Sequence, residues 1–263
     1  MHSFLGLDLA WYGSGKTSAM AVLHGDNERV ELVRVFETLK SDEEILNAIA
    51  SSMLPDAALA IDAPLVISNA TGQRACETEI GRRFGHADAS AHTSNLARFP
   101  NARSVSIANR LVSTGWRHQV NPASDQRCHG RCLFEVYPHP AHVVLFDLPR
   151  IMKYKKGNVA LRRARLTKFR QAIMKHLGAA APTLMAGALF QRVVDRQLEA
   201  LRGGALKTYE DTLDALLCAF IAAHYWAWGA ERNEMIGTMA EGYIVTPSRT
   251  VGGLPWSFEP TLT

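Results

Sequence analysis

The chain has 263 residues, of which 47% are hydrophobic and 21% are charged, and its formal net charge is +4 at pH 7. This length can bury a sizeable core in one domain, and the composition argues against a disordered or a membrane protein. The apolar start of the chain lacks a basic region and a small-residue cleavage site, so we expect a cytoplasmic protein whose four cysteines are reduced thiols and which has no membrane partner.

The first part of the chain predicts an antiparallel meander, a helix and a fourth strand. Apolar runs and period-two alternation predict three strands, at 3–11, 17–24 and 30–36. Ser41 followed by Glu44 is a typical helix N-terminus, and this helix should end at Pro55. The strand that follows carries Asp62.

The second part predicts an insertion, one more strand and several helices. Residues 65–131 are rich in Arg, His, Asn and Ser and predict loops and short helices over the face where Asp62 emerges. A fifth strand is expected at 132–137, and helices at 160–177, 184–202 and 208–229. We therefore predict a single α/β domain over 1–263. Its mixed five-stranded sheet has strands 1–3 antiparallel and strands 4 and 5 parallel, with helices on its faces and the insertion between strands 4 and 5.

Aspartates lie where a carboxylate is costly to bury. Asp8 and Asp62 each lie inside an apolar run, and a lone buried carboxylate is normally paired, protonated or bound to metal. Asp211 and Asp214 are three residues apart and share one face of the last predicted helix. The alternative for Asp211 is a favourable interaction with the dipole at the N-terminus of that helix. Together the four predict an oxygen-ligand site for Mg²⁺ or Mn²⁺, in which two ions would activate water and stabilise the leaving oxygen of a phosphodiester.

The positive charge is concentrated in one segment. Between Arg150 and Lys175 there are ten Lys and Arg and no acidic residue, which leaves 19 basic against 25 acidic residues elsewhere. Lys and Arg near phosphates supply most of the sequence-independent affinity for nucleic acid. We predict a nucleic-acid-binding surface formed by Lys153, Lys155, Lys156, Arg162, Arg163, Arg165 and Lys168. The alternative is a solvated face of an amphipathic helix.

Five segments resemble, in order, a known family. They are Gly-Leu-Asp-Leu-Ala at 6–10, Ala-Ile-Asp-Ala-Pro-Leu at 60–65, Arg-Ala-Cys-Glu at 74–77, Phe-Glu-Val-Tyr-Pro at 134–138 and Asp-Thr-Leu-Asp-Ala-Leu at 211–216. The set resembles the family catalogued as domain of unknown function 429, which is regarded as predicted nucleases of the ribonuclease H-like fold. The last segment also resembles the final helix of RuvC-type resolvases.

The resemblance implies a ribonuclease H-like fold and a metal-dependent nuclease. It implies that Asp8 is the metal ligand on the first strand, Asp62 the ligand after the fourth strand, and Asp211 or Asp214 the C-terminal ligand. Glu135 is a secondary ligand candidate, with pairing to an arginine as the alternative. Arg74 and Glu77 belong to one of the family-like segments, and Arg74 would contact a phosphate or neutralise a carboxylate.

A near-match to a phosphate-binding loop covers residues 10–17 and lacks only the first glycine. Such a loop needs a helix directly after Lys16, whereas the residues that follow predict a strand. We therefore predict a hairpin turn that leaves Lys16 beside Asp8, where it could touch a substrate phosphate. Two alternatives to a nuclease stay open: an ATP-dependent phosphotransferase of the actin-like branch, using Asp8 and residues 13–17, and a non-catalytic nucleic-acid-binding module.

Overall fold

The computed structural model describes residues 1–11, 16–119 and 130–248. The strands in these ranges are β1 (His2–Asp8), β2 (Ser18–Gly25), β3 (Arg29–Leu39), β4 (Ala57–Ile61), β5 (Arg117–His118), β6 (Arg131–Glu135), β7 (Thr183–Met185), β8 (Asn233–Thr238) and β9 (Gly242–Pro247). The α-helices are α1 (Asp42–Ala50), α2 (Ala75–Phe84), α3 (Arg103–Ser113), α4 (Pro138–Leu145), α5 (Val159–Ala172), α6 (Ala188–Val194) and α7 (Gly203–Trp228).

Seven strands form one sheet in the order β5-β6-β4-β1-β2-β3-β7. β1, β2 and β3 pair antiparallel, and β4 and β6 continue the sheet parallel to β1 on its other side. These pairings confirm the expected mixed α/β sheet. The expected number of five strands is wrong, because β5 and β7 add parallel edge strands of two and three residues. Strands this short show no alternation in a sequence.

Two further elements differ from the sequence prediction. The helix expected at 184–202 is wrong, since the chain there first forms β7 beside β3 and then the short helix α6 and a 3-10 turn. Pairing with an existing sheet edge outweighs local helix preference in this segment. The hairpin of β8 and β9 was not expected, and its residues Ile236 and Ile244 pack against Cys76 and Ile80 of α2.

Alternation along β1 directs its side chains to two different cores. Leu5 and Leu7 face the layer that contains α1 and α3, while Phe4 faces the layer that contains α7. Gly6 and Asp8 follow Phe4 at intervals of two and therefore face α7 as well. The sheet is thus covered by helices on both faces. The carboxylate of Asp8 lies on the face that packs against α7.

The long helix α7 is a core element of this layer. With the turn that follows it, Gly203–Glu231 is long and apolar enough to cross a membrane, but 78% of its most apolar stretch is buried inside the protein. It packs on β1, β2 and β4. The apolar character of this helix is therefore explained by burial against the sheet.

The cysteines differ in their chemical state. Cys76 and Cys218 are buried free thiols, whereas Cys132 is disulfide-bonded. The expectation that all four cysteines are reduced is therefore wrong at Cys132. Cys128 lies outside the described residues.

Candidate functional site

Asp8 and Asp62 come together through the register of two parallel strands. Asp8 is the last residue of β1, and Asp62 directly follows β4. Leu7 pairs with Ile61 across these strands, and the backbone N–H of Asp62 donates to the Leu7 carbonyl at 2.9 Å. Both aspartates thus lie where neighbouring strands end, the edge of an open α/β sheet at which ligands commonly bind.

The other two aspartates reach the same place from α7. Asp211 and Asp214 are almost fully buried, with 3% and 2% of each residue exposed. One carboxylate oxygen from each of Asp8, Asp211 and Asp214 lies within 4.8 Å of the others. We call these three residues the acidic triad. Asp62 lies outside the triad, but it lines a cavity of about 180 Å³ together with Asp8 and Asp214.

Two lysines and a tyrosine contact the triad. Lys155 Nζ lies 3.9 Å from Asp8 Oδ2 and 3.9 Å from Asp211 Oδ1, and it forms a closer ion pair with Asp214. Lys207 Nζ lies 2.6 Å from Asp211 Oδ2. Tyr154, stacked on Phe169 with ring centroids 4.4 Å apart, donates its hydroxyl hydrogen to Asp214.

Burial perturbs the carboxylates on the β1–β4 side of the site. Loss of solvent is the largest effect at Asp8 and raises its pKa well above the ordinary value, while Lys155 acts in the opposite direction. Burial likewise raises the pKa of Asp62 to about 7, with Lys155 opposing and Asp214 reinforcing the shift. Asp8 Oδ2 is buried and has no hydrogen-bond partner among the described residues. A site of this kind favours a proton or a cation.

Arg74, Glu77 and Glu135 form a separate buried network. Arg74 donates to both carboxylate oxygens of Glu135 and, through Nε, to Glu77 Oε1 at 2.8 Å. Glu135 Oε2 also accepts from the Leu65 N–H at 2.9 Å, and Glu77 accepts from the N–H of Ser94 at 3.1 Å. Glu135 therefore pairs with an arginine and is not in the triad, and Arg74 neutralises carboxylates next to the site.

The basic segment divides into a loop at the site and a helix engaged elsewhere. Lys153, Lys155 and Lys156 line a cavity of about 550 Å³ next to the triad. On α5, Arg162 forms a bidentate ion pair with Glu210, and Arg163 donates to the Leu201 carbonyl.

The remaining two members of the predicted surface also lie on α5. Arg165 donates to the carbonyls of Lys153 and Lys156 at 3.0 and 3.1 Å. Lys168 is exposed. Arg162, Arg163 and Arg165 are thus engaged in contacts within the protein. Of the loop lysines, Lys155 contacts the triad, whereas Lys153 pairs with Asp88 at 3.0 Å.

Lys16 lines a third cavity, of about 410 Å³, which also contains Asp8, Trp11, Lys207 and Asp211. Strand β2 begins two residues after Lys16, so the helix that a phosphate-binding loop requires is not formed there. Residues 12–15, which complete the near-match, lie outside the described residues. Lys16 and Asp8 thus line the same cavity.

Several residues of the site escaped the sequence prediction. Lys155 was assigned to a nucleic-acid surface, although it contacts the triad itself. Lys207 precedes Asp211 by four residues, a spacing that places the two on one helix face and was available in the sequence. Tyr154 and Trp11 left no such signal, because only the tertiary structure brings them to the triad or to the cavities beside it.

One comparison with known proteins gives a match. The model of a family described as protein of unknown function (DUF429) matches residues 6–235, which is most of the chain. No curated protein and no solved structure matches it.

Proposed function

This chain belongs to the protein family of unknown function DUF429, and we propose that it is a metal-dependent nuclease that hydrolyses phosphodiester bonds of nucleic acid. The observation that carries this proposal is the acidic triad, in which oxygens of Asp8, Asp211 and Asp214 lie within 4.8 Å of one another. Carboxylates grouped in this way on three separate chain positions are the ligands that Mg²⁺ and Mn²⁺ prefer.

The triad fits a divalent cation on three grounds. Its donors are all carboxylate oxygens, Asp211 and Asp214 are almost fully buried, and Asp8 Oδ2 is a buried acceptor without a hydrogen bond among the described residues. A bound ion would polarise the phosphodiester and lower the pKa of a water molecule. Asp62 lines the same cavity and, with a pKa near 7, is suited to accept a proton from water or to hold a second ion.

The order of the central strands supports a ribonuclease H-like fold. Antiparallel β1, β2 and β3 are followed by β4 and β6, which continue the sheet parallel to β1. This is the arrangement that we expect for the fold. Asp8 ends strand β1 and Asp62 directly follows strand β4, positions that support the family resemblance.

Three adjoining cavities suggest the path of the substrate. The cavities of about 180, 410 and 550 Å³ are all lined by Lys155 and His92. We call them together the groove. Its two ends carry cations, Lys16 and Lys207 at one end and Lys153 and Lys156 at the other. A polyanionic backbone that crosses the triad would meet positive charge on both sides.

The wall of the 410 Å³ cavity also contains aromatic rings. Trp11 is held by a hydrogen bond from its Nε1 to the Asp62 carbonyl at 3.2 Å, and it packs edge-on against Phe99 with centroids 5.4 Å apart. Aromatic rings beside a cationic groove are typical of proteins that bind single-stranded nucleic acid by base stacking. We therefore expect a single-stranded region in the substrate.

The proposal is tested by a cleavage panel of single-stranded, duplex, branched and RNA–DNA hybrid substrates in Mg²⁺ or Mn²⁺. The wild type is compared with Asp8→Asn, Asp62→Asn and Asp214→Asn, and with Glu241→Gln as an exposed control between β8 and β9. We expect cleavage by the wild type and the control, and a loss of at least about 100-fold in Asp8→Asn and Asp214→Asn. Cleavage that survives these two substitutions would reject the metal site.

Other outcomes identify the two alternative functions. ATP turnover that is abolished by Lys16→Ala would favour a phosphotransferase. Salt-sensitive nucleic-acid binding without cleavage in any metal would favour a binding module.

A further inference from the structure

Lys155 lies among the carboxylates that would bind a metal. Its ammonium is 3.9 Å from Asp8 Oδ2, 3.9 Å from Asp211 Oδ1 and closer still to Asp214. These are the same three residues whose oxygens form the triad. One ammonium is therefore within ion-pair distance of every member of the triad.

The ammonium and a divalent cation compete for the same oxygens. Mg²⁺ binds carboxylate oxygens at about 2.0–2.1 Å, so an ion coordinated by the triad would lie next to the position of Nζ. The metal ion and the Lys155 ammonium would then be neighbouring cations, and neighbouring cations repel one another strongly in a partly buried site. Binding of the ion thus requires the ammonium to leave.

The structure around Lys155 allows this movement without a change of the backbone. On one side, Tyr154 is buried, stacked on Phe169 and bonded to Asp214. On the other side, the Lys156 carbonyl accepts from Arg165 at 3.1 Å. The side chain of Lys155 itself is 40% exposed and lines all three cavities of the groove. Rotation of its flexible stem is enough to carry the ammonium from the triad into the groove.

We propose that Lys155 is the resident counterion of the acidic triad and that a divalent metal ion binds by displacing its ammonium into the groove. The displaced ammonium then lies beside the path of the substrate, where a phosphate would bind it. This inference rests on the proposed metal-dependent function and adds an exchange between a lysine of the chain and the ion. Lys155 thus competes with the metal for the oxygens of the triad.

The test measures thermal unfolding of the full chain in EDTA and in Mn²⁺. In EDTA, Lys155→Met leaves the triad with one cation fewer, and we expect its Tm to fall by at least about 5 °C relative to wild type. Mn²⁺ should restore the Tm to the wild-type value or above it. The double variant Lys155→Met/Asp211→Asn should recover stability in EDTA and lose the response to Mn²⁺. The control is Lys175→Met, at an exposed lysine of the same segment, and its Tm in both buffers should equal that of wild type.

The outcomes decide the exchange even if the single variant folds poorly. A Lys155→Met protein that is unfolded in EDTA and folded in Mn²⁺ supports it, and one that is unfolded in both buffers overturns it. A Tm equal to wild type in EDTA, or one that Mn²⁺ does not raise, also overturns it. In Mn²⁺ titrations of folded protein, Lys155→Met should bind at least tenfold more tightly than wild type, and equal or weaker binding contradicts the exchange.

The exchange at Lys155 and the nuclease activity can fail independently of one another. A wild type that cleaves no substrate, together with a Lys155→Met variant whose Tm depends on Mn²⁺, rejects the nuclease and retains the exchange. A wild type that cleaves nucleic acid, together with a variant whose Tm does not depend on Mn²⁺, rejects the exchange and retains the nuclease.

Discussion

Gly6 of β1 lies directly against Ala215 of α7. A Cβ atom on Gly6 would lie 2.2 Å from the Ala215 carbonyl oxygen and 2.0 Å from the Ala219 nitrogen. Because Gly6 has no side chain, the helix can approach the strand closely. Asp8 follows Gly6 by two residues on the same face, and Asp211 precedes Ala215 by one helical turn, so this approach brings the two carboxylates together.

We expect Gly6→Ala to destabilise the protein by about 3 kcal/mol or more, because an added methyl group would meet the backbone of α7, which cannot rotate away. Thermal or urea unfolding measures the loss. The matched control is Gly204→Ala, at a helical glycine with nothing within 4 Å of the added Cβ, which should be neutral or slightly stabilising. Equal stability of Gly6→Ala and wild type would show that α7 does not pack closely on β1.

Arg74→Met should cost about 3–5 kcal/mol in the free energy of unfolding, because it leaves the buried carboxylates of Glu135 and Glu77 without their cation. Arg82 is a suitable control, since it pairs with Glu79 on the surface and its side chain is 71% exposed. Arg82→Met should cost less than about 1 kcal/mol. Urea denaturation distinguishes the two, and a small loss for Arg74→Met would contradict a structural role for this network.

Asp62→Asn should stabilise the metal-free protein in a pH-dependent manner. The pKa of Asp62 is raised from an ordinary 3.8 to about 7 in the folded state. Between these two pH values the folded protein therefore still holds a proton that the unfolded chain has released. The stability contributed by this proton is present below pH 3.8 and is lost as the pH rises through about 7. An asparagine remains neutral throughout and escapes the loss.

The stability difference between Asp62→Asn and wild type should therefore grow between pH 3.8 and about 7 and stay constant above pH 7, reaching on the order of 4 kcal/mol. Unfolding in EDTA at a series of pH values measures it. A difference that does not change with pH would mean that Asp62 titrates normally.

Trp11→Ala should weaken the binding of single-stranded oligonucleotides about 10-fold, as expected when one base loses a stacking partner. Fluorescence anisotropy with a labelled oligonucleotide in Ca²⁺ measures the affinity. Trp228→Ala, at the C-terminal end of α7, is the aromatic control and should bind like wild type. Unchanged affinity of Trp11→Ala would place the bases elsewhere on the protein.

The sequence predicts the central sheet because its strands have strong local patterns. Alternation in β3 and the apolar runs of β1 and β4 identify strands without tertiary information. β7 has three residues and depends on β3 for its pairing, so local pattern predicts a helix there instead. The hairpin of β8 and β9 is likewise stabilised by packing on α2, which no local pattern shows.

The acidic site is predictable for a different reason. Asp8 and Asp62 stand out because an ionised group inside an apolar run needs a partner. The partner itself is not predictable, since Lys155 is far from Asp8 and from Asp214 in the sequence and reaches both only after α7 packs on β1. The same applies to the pairing of Arg74 with Glu135, which joins the insertion to the end of β6.

Titration of the protein with Mn²⁺, followed by electron paramagnetic resonance, measures metal binding at the triad without requiring a substrate. Wild type and Glu241→Gln should bind Mn²⁺ with the same affinity, whereas Asp8→Asn and Asp211→Asn should each weaken binding at least tenfold. Undiminished binding in both aspartate variants, or a wild type that binds no Mn²⁺, would contradict a metal site at Asp8, Asp211 and Asp214.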